Sequence, residues 1–277
     1  MSTTPADGPG LLLHLAGPLQ SWGERSQFNE RDTAPFPTRS GVIGLLASAL
    51  GRRRGESIDD LAELSLTVRA DRPGVLLRDL HTVGGGLSGR DTVTTAEGKK
   101  RPGAAATLLS HRYYLADAAF TAALTGDPDL LATCAQALRE PVWPPFLGRR
   151  SCPPEGPLTL GLLEQPMHHL VHLPLATRRR TGPDTVQIIF HGDRPLDQLA
   201  PPTSSTPAAF DGSTPAGQIN DDPLTFHPRR RAHRTRPRYQ RTLAVPAERC
   251  AGHGTAYLEA LGDYLDQHAL HPERGLT

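Results

Sequence analysis

The chain has 277 residues, 30 basic and 29 acidic side chains, and a formal net charge of +1. This length suffices for a substantial core in one large or two smaller domains, and the near-neutral charge does not by itself indicate a polyanionic partner. The three cysteines share no C-x-x-C spacing, the start lacks a secretory pattern, and no segment reaches the ~18 apolar residues of a membrane-spanning helix. We therefore expect a cytoplasmic protein without a membrane partner.

In chain order, the first half alternates strands and helices. An apolar run predicts a buried strand, and Thr38 or Ser40 can cap the buried helix that follows. This order favours an α+β, ferredoxin-like sheet with an extended projection. The predicted elements are a strand at 11–16, helices at 42–50 and 57–65, two strands within 66–83, a strand at 107–126 and a helix at 127–140.

The projection is predicted between the second pair of strands, at 84–106, where glycine and charge replace apolar periodicity. Its stretch "VGGGLSGR" lacks the G-x-G-x-x-G order and no helix pattern follows it, so a nucleotide site is not expected. Lys99, Lys100 and Arg101 lie beside threonines, as in a finger laid across a phosphate backbone. A merely solvated loop would have the same composition, and both interpretations stay open.

The last third is predicted to be a smaller, mainly β region. We place one domain at 1–155 and a second region at 156–277. Strands are expected at 157–163, 168–176 and 184–192, a long mobile loop at 194–222, and a final helix at 255–269.

Histidines and cysteines do not form a clear chemical site in the sequence. His168, His169 and His172 alternate with apolar residues, which favours a strand over a metal site, and no cofactor or metal is expected. Cys134 is predicted to lie in the core. Cys152 follows two arginines that would lower its pKa, but no activating base is evident nearby.

Arginines cluster along the chain, and only Lys99 and Lys100 are lysines. Seven arginines lie between Arg229 and Arg241, and shorter runs occur at 52–54, 149–150 and 178–180. Such runs repel one another unless an anion neutralises them, and guanidinium suits phosphate and base edges. GC-rich codons, which favour arginine without regard to function, are the plainer explanation. Against it, the clustering favours a protein that binds nucleic acid on one face and protein on others.

A polar loop joins the first strand to the first helix. A helix start flanked by Thr38, Arg39 and Ser40 presents N–H groups, hydroxyls and a cation to one point, which is suited to an anion. Trp22 and Phe28 have the chemistry to stack single-stranded bases. Trp22 covering the core is the plainer alternative. RNA binding leads among several options at this point.

Five blocks of sequence resemble the CasD family of type I-E CRISPR Cascade subunits, within the RAMP superfamily. They are "LAGPLQSWG", "RDTAPFPTRSGVIGLLASALGRRRGE", "LRDLHTV", "RYYLADAAFTAAL" and "FLGRRSCPP", and they cover roughly residues 11 to 160 in order. The last third matches weakly, through "DDPLTFHPRRR" and "RPRYQRTLAVP".

The resemblance implies a non-catalytic subunit of an antiviral ribonucleoprotein, with an RNA-recognition-type domain and a β-hairpin thumb at about 78–112. Such a subunit holds the 5′ handle of the crRNA and contacts a CasC-like backbone subunit and a CasA-like large subunit, meeting target DNA only through the assembled complex. The RNA-binding residues that the resemblance implies are Gln20, Ser21, Trp22, Arg25, Thr38, Arg39, Ser40, Arg78, His81, Thr82, Lys99, Lys100, Arg101, His111, Arg112, Arg149 and Arg150.

Two alternatives follow from the same features. Relatives that lack a dedicated processing subunit cut repeat RNA themselves without a metal, using Tyr, His and Lys side chains as general acids and bases. The third possibility is an RNA-binding module outside any complex. Residues of the types needed for cleavage are His81, His111, Tyr113, Tyr114, Lys99 and Lys100.

Overall fold

The computed structural model describes residues 8–24, 29–84, 91–94, 98–101, 107–179, 181–197, 199–202 and 211–268. The strands are β1 (Gly10–Gln20), β2 (Glu30–Arg31), β3 (Ser65–Arg72), β4 (Val75–Val83), β5 (Leu108–Thr125), β6 (Thr159–Leu163), β7 (Thr185–Gly192), β8 (Asp211–Thr225) and β9 (Ala232–Pro246). The α-helices are α1 (Arg39–Ala49), α2 (Pro128–Arg139), α3 (Pro166–His172) and α4 (Thr255–Gln267).

One sheet runs through the molecule in the order β6-β1-β5-β3-β7-β9-β8, and β2 and β4 pair with the outer part of β5. The pairs β6-β1, β1-β5 and β5-β3 are antiparallel. With α1 after β1 and α2 after β5, these four strands form the β-α-β-β-α-β unit of a ferredoxin-like fold. The predicted α+β class is confirmed.

Two hydrophobic layers cover the two faces of the sheet. Because side chains alternate along a strand, Leu11 and Leu13 of β1 pack in the layer that contains α1 and α2. Leu12 packs in the opposite layer, which contains α3 and α4. The predicted N-terminus of α2 is confirmed, since the Asp127 side chain accepts a hydrogen bond from the Leu130 N–H at 2.8 Å.

The structure differs from the predicted elements in three places. The helix expected at 57–65 is only a 3-10 turn at Leu61–Glu63. The strand expected at 168–176 is wrong, because 166–172 form α3: Pro166 opens the helix, and Leu170 and Val171 pack into the core. The mobile loop expected at 194–222 is also wrong for 211–222, which lie in β8. The β8-β9 ladder contains four register shifts, so β8 lacks a strand-like alternation in its sequence.

The same hydrogen-bonded sheet crosses the predicted domain boundary at residue 155, since β3 pairs with β7. The division into a domain at 1–155 and a region at 156–277 stays a prediction. Among the described helices, none combines the length and apolarity needed to cross a membrane.

Candidate nucleic-acid interface

An open cleft of about 760 Å³ lies where β1 ends, α1 begins and the β8-β9 hairpin passes over them. It brings together segments that are far apart in sequence, including several of the residues expected to bind RNA. Its lining residues are Ser21, Trp22, Gly23, Glu24, Arg31, Thr38, Ser40, Gly41, Arg112, Gly148, Arg149, Asn220, Arg231 and His233.

Two close approaches shape the floor of the cleft. A Cβ at Gly41 would lie 2.6 Å from the Trp22 ring, so only glycine lets α1 rest on the indole. Gly148 has φ +90°, and a Cβ there would lie 1.7 Å from the Ser21 carbonyl oxygen. The loop at 147–152 can thus hydrogen-bond to the end of β1, where the Ser21 N–H donates to the Leu147 carbonyl at 3.0 Å.

The predicted stacking of bases on Trp22 is wrong, because the side chain is 0% exposed and lies in the core. Its Nε1 donates to Gln20 Oε1 at 2.9 Å, while Gln20 Nε2 donates to the Leu15 and Ala118 carbonyls, each at 2.9 Å. Ser21 Oγ donates to the Tyr113 carbonyl at 3.1 Å. These polar groups therefore hold the cleft floor together, and Gln20 and Trp22 present no free group to RNA.

The helix start is an anion site, as predicted, but the anion belongs to the protein. The Arg39 N–H donates to Asp221 Oδ2 at 2.7 Å. Thr38 Oγ1 accepts from the Gly41 N–H at 3.3 Å and caps α1. Asp221 is fully buried and is also held by Arg236, at 2.6 Å from Nε. Of the three predicted phosphate ligands, only Ser40 is left as a half-buried hydroxyl in the cleft.

The Arg39 guanidinium is likewise engaged inside the protein, which contradicts its predicted role in binding phosphate. It forms ion pairs with Asp193 and with Asp222, the latter at 3.1 Å, and donates to the carbonyls of Leu64 and Ala62 at 2.6 and 2.5 Å. Only 7% of its side chain is exposed. Arg39 thereby ties α1 to β7 and β8 beneath the cleft.

The cleft itself is lined by four other arginines: Arg31, Arg112, Arg149 and Arg231. In the described part of the chain, no salt bridge joins any of them to a carboxylate. Arg149 donates instead to the carbonyls of Arg31 and Tyr113, at 2.7 and 3.1 Å, and its guanidinium lies 4.8 Å from the Tyr114 ring centroid. His233 adds a neutral donor or acceptor, because burial and then Arg231 lower its pKa.

The thumb residues divide between two faces of the β4-β5 ribbon. The register pairs His81 with Ser110 and Leu80 with His111. Side chains of paired residues point to the same face of the ribbon, and successive side chains along a strand point to opposite faces. His81 therefore lies on the same face as Arg112, whereas His111 lies on the opposite face. Arg78 and Thr82 share the face of His111 by the same register. The expectation that all five line one groove is therefore wrong, and only Arg112 reaches the cleft.

The same register separates the residues considered for RNA cleavage. Tyr113 lies on the face of His111, while Tyr114 lies on the face of His81 and is 6% exposed. A general acid and a general base must both reach one phosphodiester. The two histidines, on opposite faces of a ribbon, do not meet this condition.

Other expected residues lie away from the cleft or outside the described ranges. Lys100 Nζ donates to the Thr92 carbonyl at 2.9 Å within a small turn of the thumb, and Lys99 is exposed beside it. Arg101 N–H donates to the Val93 carbonyl at 3.3 Å in the same turn. Arg25, Phe28 and most of "VGGGLSGR" lie outside the described residues. The roles of the three thumb cations stay predictions.

Neither the histidines nor the cysteines form a reactive centre in the described structure. No three His, Cys, Asp or Glu side chains among the described residues are grouped to hold a metal. Cys134 is buried in the core as predicted, and burial raises its pKa to about 11. The expectation for Cys152 is wrong: burial raises its pKa, outweighing Arg149.

Sequence reasoning missed eight cleft residues, among them Arg31, Asn220, Arg231 and His233. The arginine cluster after residue 228 was the available signal, but β8 and β9 had to be paired before Arg231 could be placed. Arg234 and Arg236 of the same cluster bind Asp222 and Asp221, at 3.0 and 2.6 Å. The cluster therefore contributes one arginine to the cleft lining and two to ion pairs within the protein.

Comparisons of the sequence with known proteins found matches among CRISPR-associated proteins. The family model described as CRISPR-associated protein (Cas_Cas5) matches residues 10–239. The Cascade subunit CasD of Escherichia coli is 39% identical over 165 residues, which cover 54% of this chain and 70% of that protein.

Two solved structures also match. One chain of a CRISPR RNA-guided surveillance complex is 42% identical with a TM-score of 0.77, covering 93% of this chain and 100% of its own. A crystal structure of a Cas protein is 34% identical with a TM-score of 0.56, covering 88% of this chain and 98% of its own.

Proposed function

This chain belongs to the CRISPR-associated Cas5 family, and on that premise we propose that it is the subunit of a Cascade-type surveillance complex that binds the crRNA. The cleft holds the repeat-derived 5′ handle. The observation that carries this proposal is the set of four arginines in one open cleft without an ion-pairing carboxylate among the described residues. A single RNA strand supplies the missing negative charge.

We further propose that the subunit is non-catalytic and acts by holding RNA in place. The separation of His81 and His111 across the β4-β5 ribbon supports this role over metal-independent cleavage. The projecting ribbon and the remaining surface would contact a CasC-like backbone subunit and a CasA-like large subunit, and target DNA only through the assembled complex. We place the complex in the cytoplasm, in keeping with three free cysteines.

The test is retention of crRNA by the assembled complex. Arg112→Ala with Arg231→Ala should lower the affinity of the full chain for the handle RNA about tenfold or more, because two phosphate contacts are lost. Arg178→Ala, at an exposed arginine away from the cleft lining, is the matched control. Wild-type affinity in the double variant would refute the cleft as the RNA site.

Two further measurements separate the alternatives. Incubation with repeat RNA in EDTA should give no product, and one site-specific cut would establish an endoribonuclease instead. Co-purification with CasC-like subunits is expected, and its absence alongside tight RNA binding would favour a stand-alone module.

A further inference from the structure

A second pocket, of about 380 Å³, adjoins the cleft between α1, the segment at 143–150 and the turn between β8 and β9. We name it the arginine-aromatic pocket after its lining residues Trp143, Phe226, Arg53, Arg54, Arg150 and Arg231. It shares Ser40, Gly41, Gly148 and Arg231 with the cleft, so the two cavities are adjacent.

Arg52, which also lines the pocket, pairs with Asp60 at 2.5 Å, whereas the other guanidinium groups have no carboxylate partner in the described protein. No salt bridge joins Arg53, Arg54, Arg150 or Arg231 to a described carboxylate. The one acidic lining residue, Glu56, accepts from the Arg53 backbone N–H at 2.9 Å. Partial burial lowers the pKa of Arg231, and the nearby Arg54 lowers it further. Cations that lose water and repel each other favour an anionic ligand.

The aromatic side chains supply the other half of a nucleotide site. Trp143 is 40% exposed and precedes two prolines, which restrict the segment that carries it. Phe226 packs at the edge of the core with its ring 5.8 Å from the Arg231 guanidinium. An indole next to guanidinium groups offers a base a stacking surface and its phosphate a partner.

We propose that this pocket binds one nucleotide of the RNA strand that occupies the cleft, with its base against Trp143 and its phosphate held by Arg150 and Arg231. The inference rests on the proposed function. Arg231 lines both cavities, so a strand leaving the cleft meets the pocket without leaving the cationic surface. This shared cationic lining favours RNA over an acidic segment of a neighbouring protein.

Tryptophan fluorescence tests the base contact directly, because the chain has two tryptophans and Trp22 is 0% exposed. The probe is a synthetic single-stranded RNA with the sequence of the crRNA's repeat-derived 5′ end, titrated into the purified full chain. Binding should quench the emission of Trp143. In Trp143→Phe, RNA should still bind but most of the quenching should be lost, because the remaining Trp22 is buried in the cleft floor and cannot stack on a base.

Affinity provides the second readout. Trp143→Ala should raise Kd about fivefold to a hundredfold, the range for loss of one stacked base, while Trp143→Phe should stay near wild type. Leu258→Ala is the matched control, because Leu258 of α4 is also 40% exposed and lies outside both cavities. Circular dichroism verifies that each variant is folded.

The outcomes separate this inference from the proposed function. If Arg112→Ala weakens RNA binding while Trp143→Ala has no effect and RNA does not quench Trp143, the pocket assignment fails and the cleft stands. If neither variant affects RNA binding, both fail. If Trp143→Ala leaves RNA affinity unchanged but releases a protein subunit from the complex, the pocket is a protein contact and the inference is overturned.

Discussion

Two groups of arginines in this protein differ in what surrounds their charge. Arg39 and Arg69 are buried beside carboxylates: Arg69 has 0% side-chain exposure, pairs with Asp71 at 2.5 Å and donates to three main-chain carbonyls. Arg31 and Arg112 line an open cleft and form no ion pair with a described carboxylate. The first group stabilises the fold, whereas the second is left available to a ligand.

An arginine's role therefore depends on its neighbours in space and not on its neighbours in sequence. Arg39 lies in a segment suited to phosphate, yet the partners that bind it are Asp193 and Asp222, more than 150 residues away. Variants of the two groups should therefore separate stability from RNA affinity.

Replacement of Arg39 should have the largest effect on stability. Arg39→Ala leaves the nearly buried Asp193 without its cation, while Asp222 keeps Arg234, and loss of one partner from a buried pair costs about 3 to 5 kcal/mol. Urea unfolding followed by circular dichroism measures the loss, and Arg178→Ala is the exposed control. Wild-type stability combined with lost RNA affinity would show that Arg39 binds RNA and does not stabilise the fold.

Acid should weaken the fold through histidines whose pKa burial lowers, including His14 and His191. Burial lowers the pKa of His14 to about 4 and that of His191 to about 3. Unfolded histidines bind protons below about pH 6.5 while these two stay neutral, so their contribution to the free energy of unfolding is constant above pH 6.5 and falls below it, by about 2 kcal/mol per histidine at pH 5.

The matched variant for this pH dependence is His191→Phe, which keeps a ring against Phe36, whose centroid lies 4.1 Å away. Urea unfolding at pH 7 and pH 5 should show a fall about 2 kcal/mol smaller than in wild type. An equal fall in both proteins would mean that His191 is not protected from protons.

Replacement of Arg31 should have the smallest effect on stability. Arg31→Ala keeps the main-chain carbonyl that accepts from Arg149 and should change the free energy of unfolding by less than about 0.5 kcal/mol. The slope of log K against log salt for the handle RNA should fall by about 0.7, the value for one phosphate on a single strand. An unchanged slope would remove Arg31 from the RNA-binding group.

The sequence was sufficient to predict the ferredoxin-like unit, because β1 and β5 have long apolar runs and Asp127 and Pro128 mark the start of α2. It was insufficient for β8, whose register shifts and prolines erase alternation. The cleft was predicted in part, since Ser40, Arg112 and Arg149 do line it. The sequence wrongly predicted that Trp22 stacks on bases, because the burial of its side chain depends on contact with Gly41. The two residues meet only when α1 has packed.

The bond between Arg39 and Asp221 has a consequence for synthesis of the chain. The two residues are 182 positions apart, so a ribosome makes the start of α1 long before it makes the carboxylate that occupies it. Until β8 emerges, the Arg39 N–H at that helix start lacks the carboxylate that accepts from it in the folded protein. The wall of the cleft is therefore completed late in translation.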